Sequence, residues 1–109
     1  MPKNLTIKQL TGLIMKQAKE KKWGAKPKEV NLGEKIALIH SELSEALNAY
    51  RLNKMEVKDG FNEELADAVI RILHLSGIYD IDIEKEIVKK LSSNKFRNWD
   101  WDRLKKSQK

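Results

Sequence analysis

Residues 61–79 of this chain are apolar nearly all round. Phe61, Leu65, Ala66, Ala68, Val69, Ile70, Ile72, Leu73, Leu75 and Ile78 leave one polar stripe: Glu64, Asp67, Arg71 and His74, with Glu63 at its edge. The pattern repeats at helical period, not at the period of a strand. A helix of this kind is normally buried on most of its sides. Other helices must therefore cover it, and its carboxylates are expected to face a narrow opening rather than a broad wet surface.

Periodicity predicts helices over residues 5–22, 32–52, 61–79 and 83–97. Only two prolines occur and strand-like alternation is scarce. Trp23-Gly24 closes the first helix, and Ala25 to Val30 form a linker. Asn31 and Glu34 have the spacing of a capping box at the start of the second helix. Lys58-Asp59-Gly60 reads as a turn, and Asp82 as the N-cap of the fourth helix. On the second helix, Leu32, Ile36, Ile39, Leu43, Leu47 and Tyr50 share one stripe, with Glu42 and Glu45 beside it among Leu38, Ala46 and Ala49.

A chain of 109 residues makes one domain. The expected fold is an all-α, four-helix-bundle-type domain over residues 1–109, with 98–109 as a short helix or a mobile basic tail. So apolar a third helix wants more cover than three short partners supply. A homodimer or homotetramer, closed by two-fold symmetry, would complete the bundle; the alternative is that a compact monomer absorbs the apolar excess.

The chain has no cysteine, which excludes a disulfide framework, a thiolate nucleophile and a cysteine-based zinc site. Its first residues, Met1-Pro2-Lys3-Asn4, lack the apolar core of a signal peptide. No apolar run approaches the ~20 residues of a membrane span. A soluble cytoplasmic protein without a membrane partner is expected.

The net charge of +6 is unevenly spread. Residues 1–28 carry eight Lys against one Glu, residues 29–67 nine acids against four bases, and residues 89–109 eight bases against two acids. Basic ends can bind nucleic acid. They can equally close over an acidic, metal-loaded centre and meet a polyphosphate, and charge alone does not choose.

The acidic centre carries the sharper signal. Glu42 and Glu45 stand at i, i+3, and so do Glu64 and Asp67. Residues three apart are neighbours on a helix face. Either pair alone is the ordinary mark of a solvent face. Two such faces brought together offer oxygen ligands to a hard divalent cation such as Mg²⁺, or Mn²⁺ as a substitute, with phosphates as co-ligands. Without a cation, converging carboxylates repel each other and their pKa values rise. On the fourth helix Lys90, Asn94 and Arg97 share a face, the first and last suited to phosphate oxygens. Basic residues also favour a helix C-terminus for its dipole alone.

Together, Glu42-x-x-Glu45, Glu64-x-x-Asp67 and Lys90-x-x-x-Asn94-x-x-Arg97 resemble the pattern of the MazG-like all-α nucleoside triphosphate pyrophosphohydrolases, from about Gly33 to Arg97. The resemblance implies that Glu42, Glu45, Glu64 and Asp67 bind Mg²⁺ and serve catalysis. It implies that Lys90, Asn94 and Arg97 hold the substrate phosphates. The implied reaction cleaves the α–β phosphate bond of a nucleoside triphosphate to a monophosphate and pyrophosphate, as nucleotide-pool house-cleaning. Phosphoribosyl-ATP pyrophosphohydrolase is the rival within the same superfamily. A non-enzymatic basic helical module on nucleic acid, or a regulatory partner in a toxin-like system, are the rivals outside it.

Many members of that family carry a further acid just before the first motif, where this chain has Ser41. Trp23, at the end of the first helix, can stack on a nucleobase, although a Trp at a helix end is more often a core or interface residue. Lys35, two turns before Glu42, can reach a phosphate or pair with Glu42. His40 and His74 have no spacing that argues for zinc, and Trp99 and Trp101 read as packing for the tail.

Overall fold

The computed structural model describes residues 4–96. Among them are four α-helices and no strand: α1 (Ile7–Lys21), α2 (Leu32–Arg51), α3 (Phe61–Ile78) and α4 (Ile83–Lys95), with one 3₁₀ turn at Pro27–Glu29. Each helix lies within two residues of the span expected from periodicity. No helix of the described residues is long and apolar enough to cross a membrane.

Local chemistry sets the helix ends. Thr6 and Gln9 form a reciprocal capping box at α1, with bonds of 3.1 and 2.8 Å. At α2 only the first half of the expected box is made: Asn31 Oδ1 accepts the Glu34 N–H at 2.9 Å. Asp82 caps α4 by accepting the Lys85 N–H. The start of α3 is capped by loop carbonyls instead of a side chain. Phe61 N–H donates to Lys54 O at 2.7 Å, and Asn62 N–H to Met55 O at 3.0 Å.

Gly60 makes that loop possible. A Cβ there would lie 2.8 Å from the carbonyl oxygens of Lys54 and Val57 and 3.0 Å from that of Met55. Three backbone groups would have to shift to admit a methyl. Gly60→Ala is expected to destabilise the chain by about 1–3 kcal/mol, the usual cost of overpacking. A urea midpoint unchanged from the wild type would contradict this.

α2 and α3 form an antiparallel hairpin, α1 packs on α3, and α4 packs chiefly on α1. The α2–α3 seam is built from small side chains. Ala46 and Ala49 of α2 and Ala68 of α3 are buried, with Leu73 and Ile78 further along α3 and Ala18 on α1. Small residues let two helices approach closely. The same closeness draws together the acids that flank the alanines.

The single chain leaves much of its apolar surface outward. The apolar stripe of α2 does not face α3, since Leu32, Ile36, Leu43, Leu47 and Tyr50 are all exposed, Tyr50 to 60%. The buried face of α2 is Glu42, Ala46 and Ala49. Nor is α3 buried on most of its sides in the single chain, for Leu65, Val69, Ile70 and Ile72 are exposed. α4 buries no residue, and Val88 and Leu91 are each 63% exposed. The alanine faces win the intrachain contact because they allow the nearer approach, and the larger side chains are left outward.

Candidate metal centre

Glu42 and Glu64 are both nine-tenths buried, an unusual setting for carboxylates. Glu42 stands one turn before Ala46 on α2, and Glu64 one turn before Ala68 on α3, so the alanine seam carries both acids inward. Asp67 is exposed at the edge of the same seam. Carboxylate oxygens of Glu42, Glu64 and Asp67 all lie within 4.8 Å of one another. Glu45 is exposed and outside this trio, but its side chain meets that of Glu64.

The electrostatics are those of crowded like charges. Contact with Glu45, then burial, then the charges of Glu45 and Glu42 push the Glu64 carboxyl up to about 7 from an ordinary 4.5. Asp67 is also raised, first by burial and then by the charge of Glu42, with Arg71 acting in the opposite sense. Glu64 Oε2 is buried and has no hydrogen-bond partner among the described residues. A buried unpaired polar atom calls for an explanation. An all-oxygen donor set with one orphaned oxygen fits a hard divalent cation, which prefers carboxylates. Glu42, Glu64 and Asp67 can hold it, with Glu45 at the border.

Arg71, one turn beyond Asp67 on α3, already supplies one positive charge: its Nε donates to Glu42 Oε1 at 2.8 Å. Arg71 and His74 follow Asp67 on the polar stripe of α3. The spacing i, i+4 and i+7 pointed to both, although neither was expected in the site.

A cleft of about 450 Å³ opens beside Glu42 and Asp67 of the trio. Glu42, Asp67 and Arg71 line one part of it, and Trp23, Lys35, Ile70 and His74 the rest. Trp23 is 45% exposed and sits in the turn after α1. Lys22 ends α1 in a left-handed conformation with φ 59, and the Trp23 N–H returns to Ala18 O at 2.9 Å. Gly24 follows at φ 100, where a Cβ would also meet the Val30 side chain.

Two helices hold this turn in place. His74 Nε2 of α3 donates to Gly24 O at 2.7 Å, which fixes the proton on Nε2 because a carbonyl only accepts. Lys35 Nζ of α2 donates to Trp23 O at 3.3 Å. The Trp23 and His74 rings meet edge to face, with centroids 6.3 Å apart.

Of the residues singled out from sequence, then, Glu42, Asp67, Trp23 and Lys35 share one cleft, with Glu64 joined to it through the trio. Glu45 and Glu64 line a second cleft, with Ser41, Ser44 and Asn48. Lys90 and Asn94 are not brought to the carboxylates. They lie on α4, which packs chiefly on α1, and neither lines these clefts. Asn94 Oδ1 is buried without a partner among the described residues. Arg97, the tail 98–109, Trp99 and Trp101 fall outside the described residues.

Comparison with protein-family models, with curated proteins and with solved structures gives no match for this chain. The fold and the site by themselves define a class: an all-helical protein, over the described residues, whose central hairpin carries an all-oxygen acidic cluster that borders a mixed aromatic and basic cleft.

The raised Glu64 carboxyl makes stability depend on pH. Between pH 4.5 and about 7 the folded, metal-free chain holds more protons than the unfolded chain. Its contribution to stability is therefore full below pH 4.5, is lost as pH rises through about 7, and is flat beyond. A divalent cation binds the deprotonated form. Added Mg²⁺ is expected to raise Tm more at pH 8 than at pH 5. Equal shifts at the two pH values would contradict the proposed role of Glu64.

Proposed function

We propose that this protein is a Mg²⁺-dependent nucleoside triphosphate pyrophosphohydrolase that cleaves the α–β phosphate bond, giving a nucleoside monophosphate and pyrophosphate, in nucleotide-pool house-cleaning. One observation carries the reading. Three carboxylates converge, one of them with an orphaned buried oxygen, and two of them, Glu42 and Asp67, line a cleft with Trp23, Lys35 and Arg71. The motif resemblance agrees with it in the same acids.

When bound, the cation neutralises polyphosphate charge and makes water more acidic. The chain's own groups do the rest. Glu42, Glu64 and Asp67 would hold the ion. Lys35 meets phosphate oxygens at the mouth, and Trp23 stacks on the base. Water attacks phosphorus, the α–β P–O bond breaks, and pyrophosphate departs. The proton of the attacking water passes to one of the cluster's carboxylates.

The outward apolar residues belong to the same reading. Leu43 and Leu47 of α2, Val69 and Ile72 of α3, and Val88 and Leu91 of α4 are exposed, more apolar surface than a monomer usually leaves to water. A homodimer or homotetramer covers them. Phosphate binding by Lys90, Asn94 and Arg97 then belongs to the assembled oligomer. Analytical ultracentrifugation should give a mass at least twice that of one chain; a stable monomer at micromolar concentration would contradict it.

The functional test is a panel of ordinary and modified nucleoside triphosphates, with and without Mg²⁺, scored for pyrophosphate release. Mg²⁺-dependent release from at least one is expected. Inactivity of folded protein across the panel would overturn the assignment.

A further inference from the structure

We propose that Arg71 is a displaceable counter-ion: it occupies Glu42 while the carboxylate cluster lacks a divalent cation, and on loading turns to bind the phosphate oxygens of the incoming triphosphate. The inference rests on the reading of the cleft as a nucleotide site.

The ion pair is incomplete as a structural device. Only Nε of Arg71 bonds Glu42, at 2.8 Å, and no second carboxylate oxygen is paired with the terminal nitrogens among the described residues. Arg–carboxylate pairs are frequently bidentate, using the planar fork in two parallel bonds. The Arg71 side chain is 38% exposed, whereas that of Glu42 is only 12% exposed. The acid is thus fixed in the seam, and the cation reaches it from the cleft. Arg71 also lines that cleft together with Lys35 and Asp67.

Charge drives the exchange on loading. Glu42 belongs to the trio, so a divalent cation there competes directly for the carboxylate that Arg71 holds. An ion carrying two positive charges also repels a guanidinium at this range. The released side chain remains tethered on α3 at the cleft wall, with all five N–H donors available. A polyphosphate entering the cleft offers planar sets of oxygens that match this fork. Arg71 and Lys35, from facing helices, then grip the phosphates within a single chain, where Lys90 and Asn94 do not reach.

Arg71→Met, which keeps the length and removes the charge, separates this role from that of a prop for Glu42. Two affinities are read by calorimetry: that of Mn²⁺ alone, and that of the Mn²⁺-loaded protein for a non-hydrolysable α,β-imido nucleoside triphosphate. The expected result is Mn²⁺ affinity equal to or tighter than wild type, with triphosphate affinity at least tenfold weaker and affinity for the parent nucleoside unchanged. Arg71→Lys should restore part of the triphosphate affinity, and it serves as the test if the Met variant does not fold.

Unchanged triphosphate affinity in Arg71→Met would overturn the proposal, as would weakened Mn²⁺ binding, which marks a prop. If wild-type protein binds the triphosphate no better than the nucleoside, the nucleotide reading itself fails. That outcome differs from a wild type that discriminates and a variant that matches it.

Discussion

Glu64→Gln is expected to lower kcat at least about a hundredfold and, in the same protein, to raise the Tm of the metal-free form at pH 8. The two effects share one cause. Glu64 is nine-tenths buried, its Oε2 has no partner, and Glu42 and Glu45 press negative charge upon it. The carboxylate is therefore poorly placed for stability and well placed for a cation. Gln keeps the shape and removes the charge, and its amide can donate to the neighbouring carboxylates. Loss of an outer partner of a metal site already costs 10–100-fold, so loss of a central ligand should cost more. Retained activity would remove Glu64 from the site. Lost activity with a lower Tm would mean that Glu64 serves packing.

Trp23→Ala carries the second large effect. The indole is half exposed, its turn is tied to α2 through Lys35 and to α3 through His74, and it lines the same cleft as Glu42 and Asp67. Both ties run to backbone carbonyls, so truncating the side chain leaves the turn's hydrogen bonds in place. Stacking of a base on an aromatic ring is worth about 1–3 kcal/mol. KM for the best substrate should rise about tenfold, with a smaller change in kcat. Unchanged KM and kcat would assign Trp23 to packing against His74 alone.

The helices were legible from period, caps and turns, because those signals are local. Which face of each helix meets its own chain was not. α2 carries an apolar stripe and an alanine face, both at helical period, and periodicity is silent on whether a face meets the same chain or another copy. Close approach favoured Ala46, Ala49 and Ala68, and the larger side chains stayed outward.

The four acids were legible from their spacing, but their division was not. Three residues turn a helix through about 300°, leaving about 60° between neighbours at i and i+3. Glu42 therefore points into the seam while Glu45 stays at its rim. The face of Lys90 and Asn94 was read from the same kind of spacing, yet spacing cannot say which helix that face will meet. α4 went to α1. Arg71 and His74 stood in plain view on the polar stripe of α3. Their roles depend on partners 29 and 50 residues away, Glu42 and Gly24, which no local pattern reveals.

The proposed function depends on a divalent-cation site in the α2–α3 cluster. Calorimetric titration of Mn²⁺ into wild type and Glu64→Gln, repeated at pH 6 and pH 8, tests it most directly. Glu64 titrates near pH 7 without metal, and the ion needs it deprotonated. The expected result is saturable binding to wild type, proton release that is larger at pH 6 than at pH 8, and strongly weakened binding to the variant. Absence of binding to wild type, or equal binding to both proteins with no proton release, would contradict it.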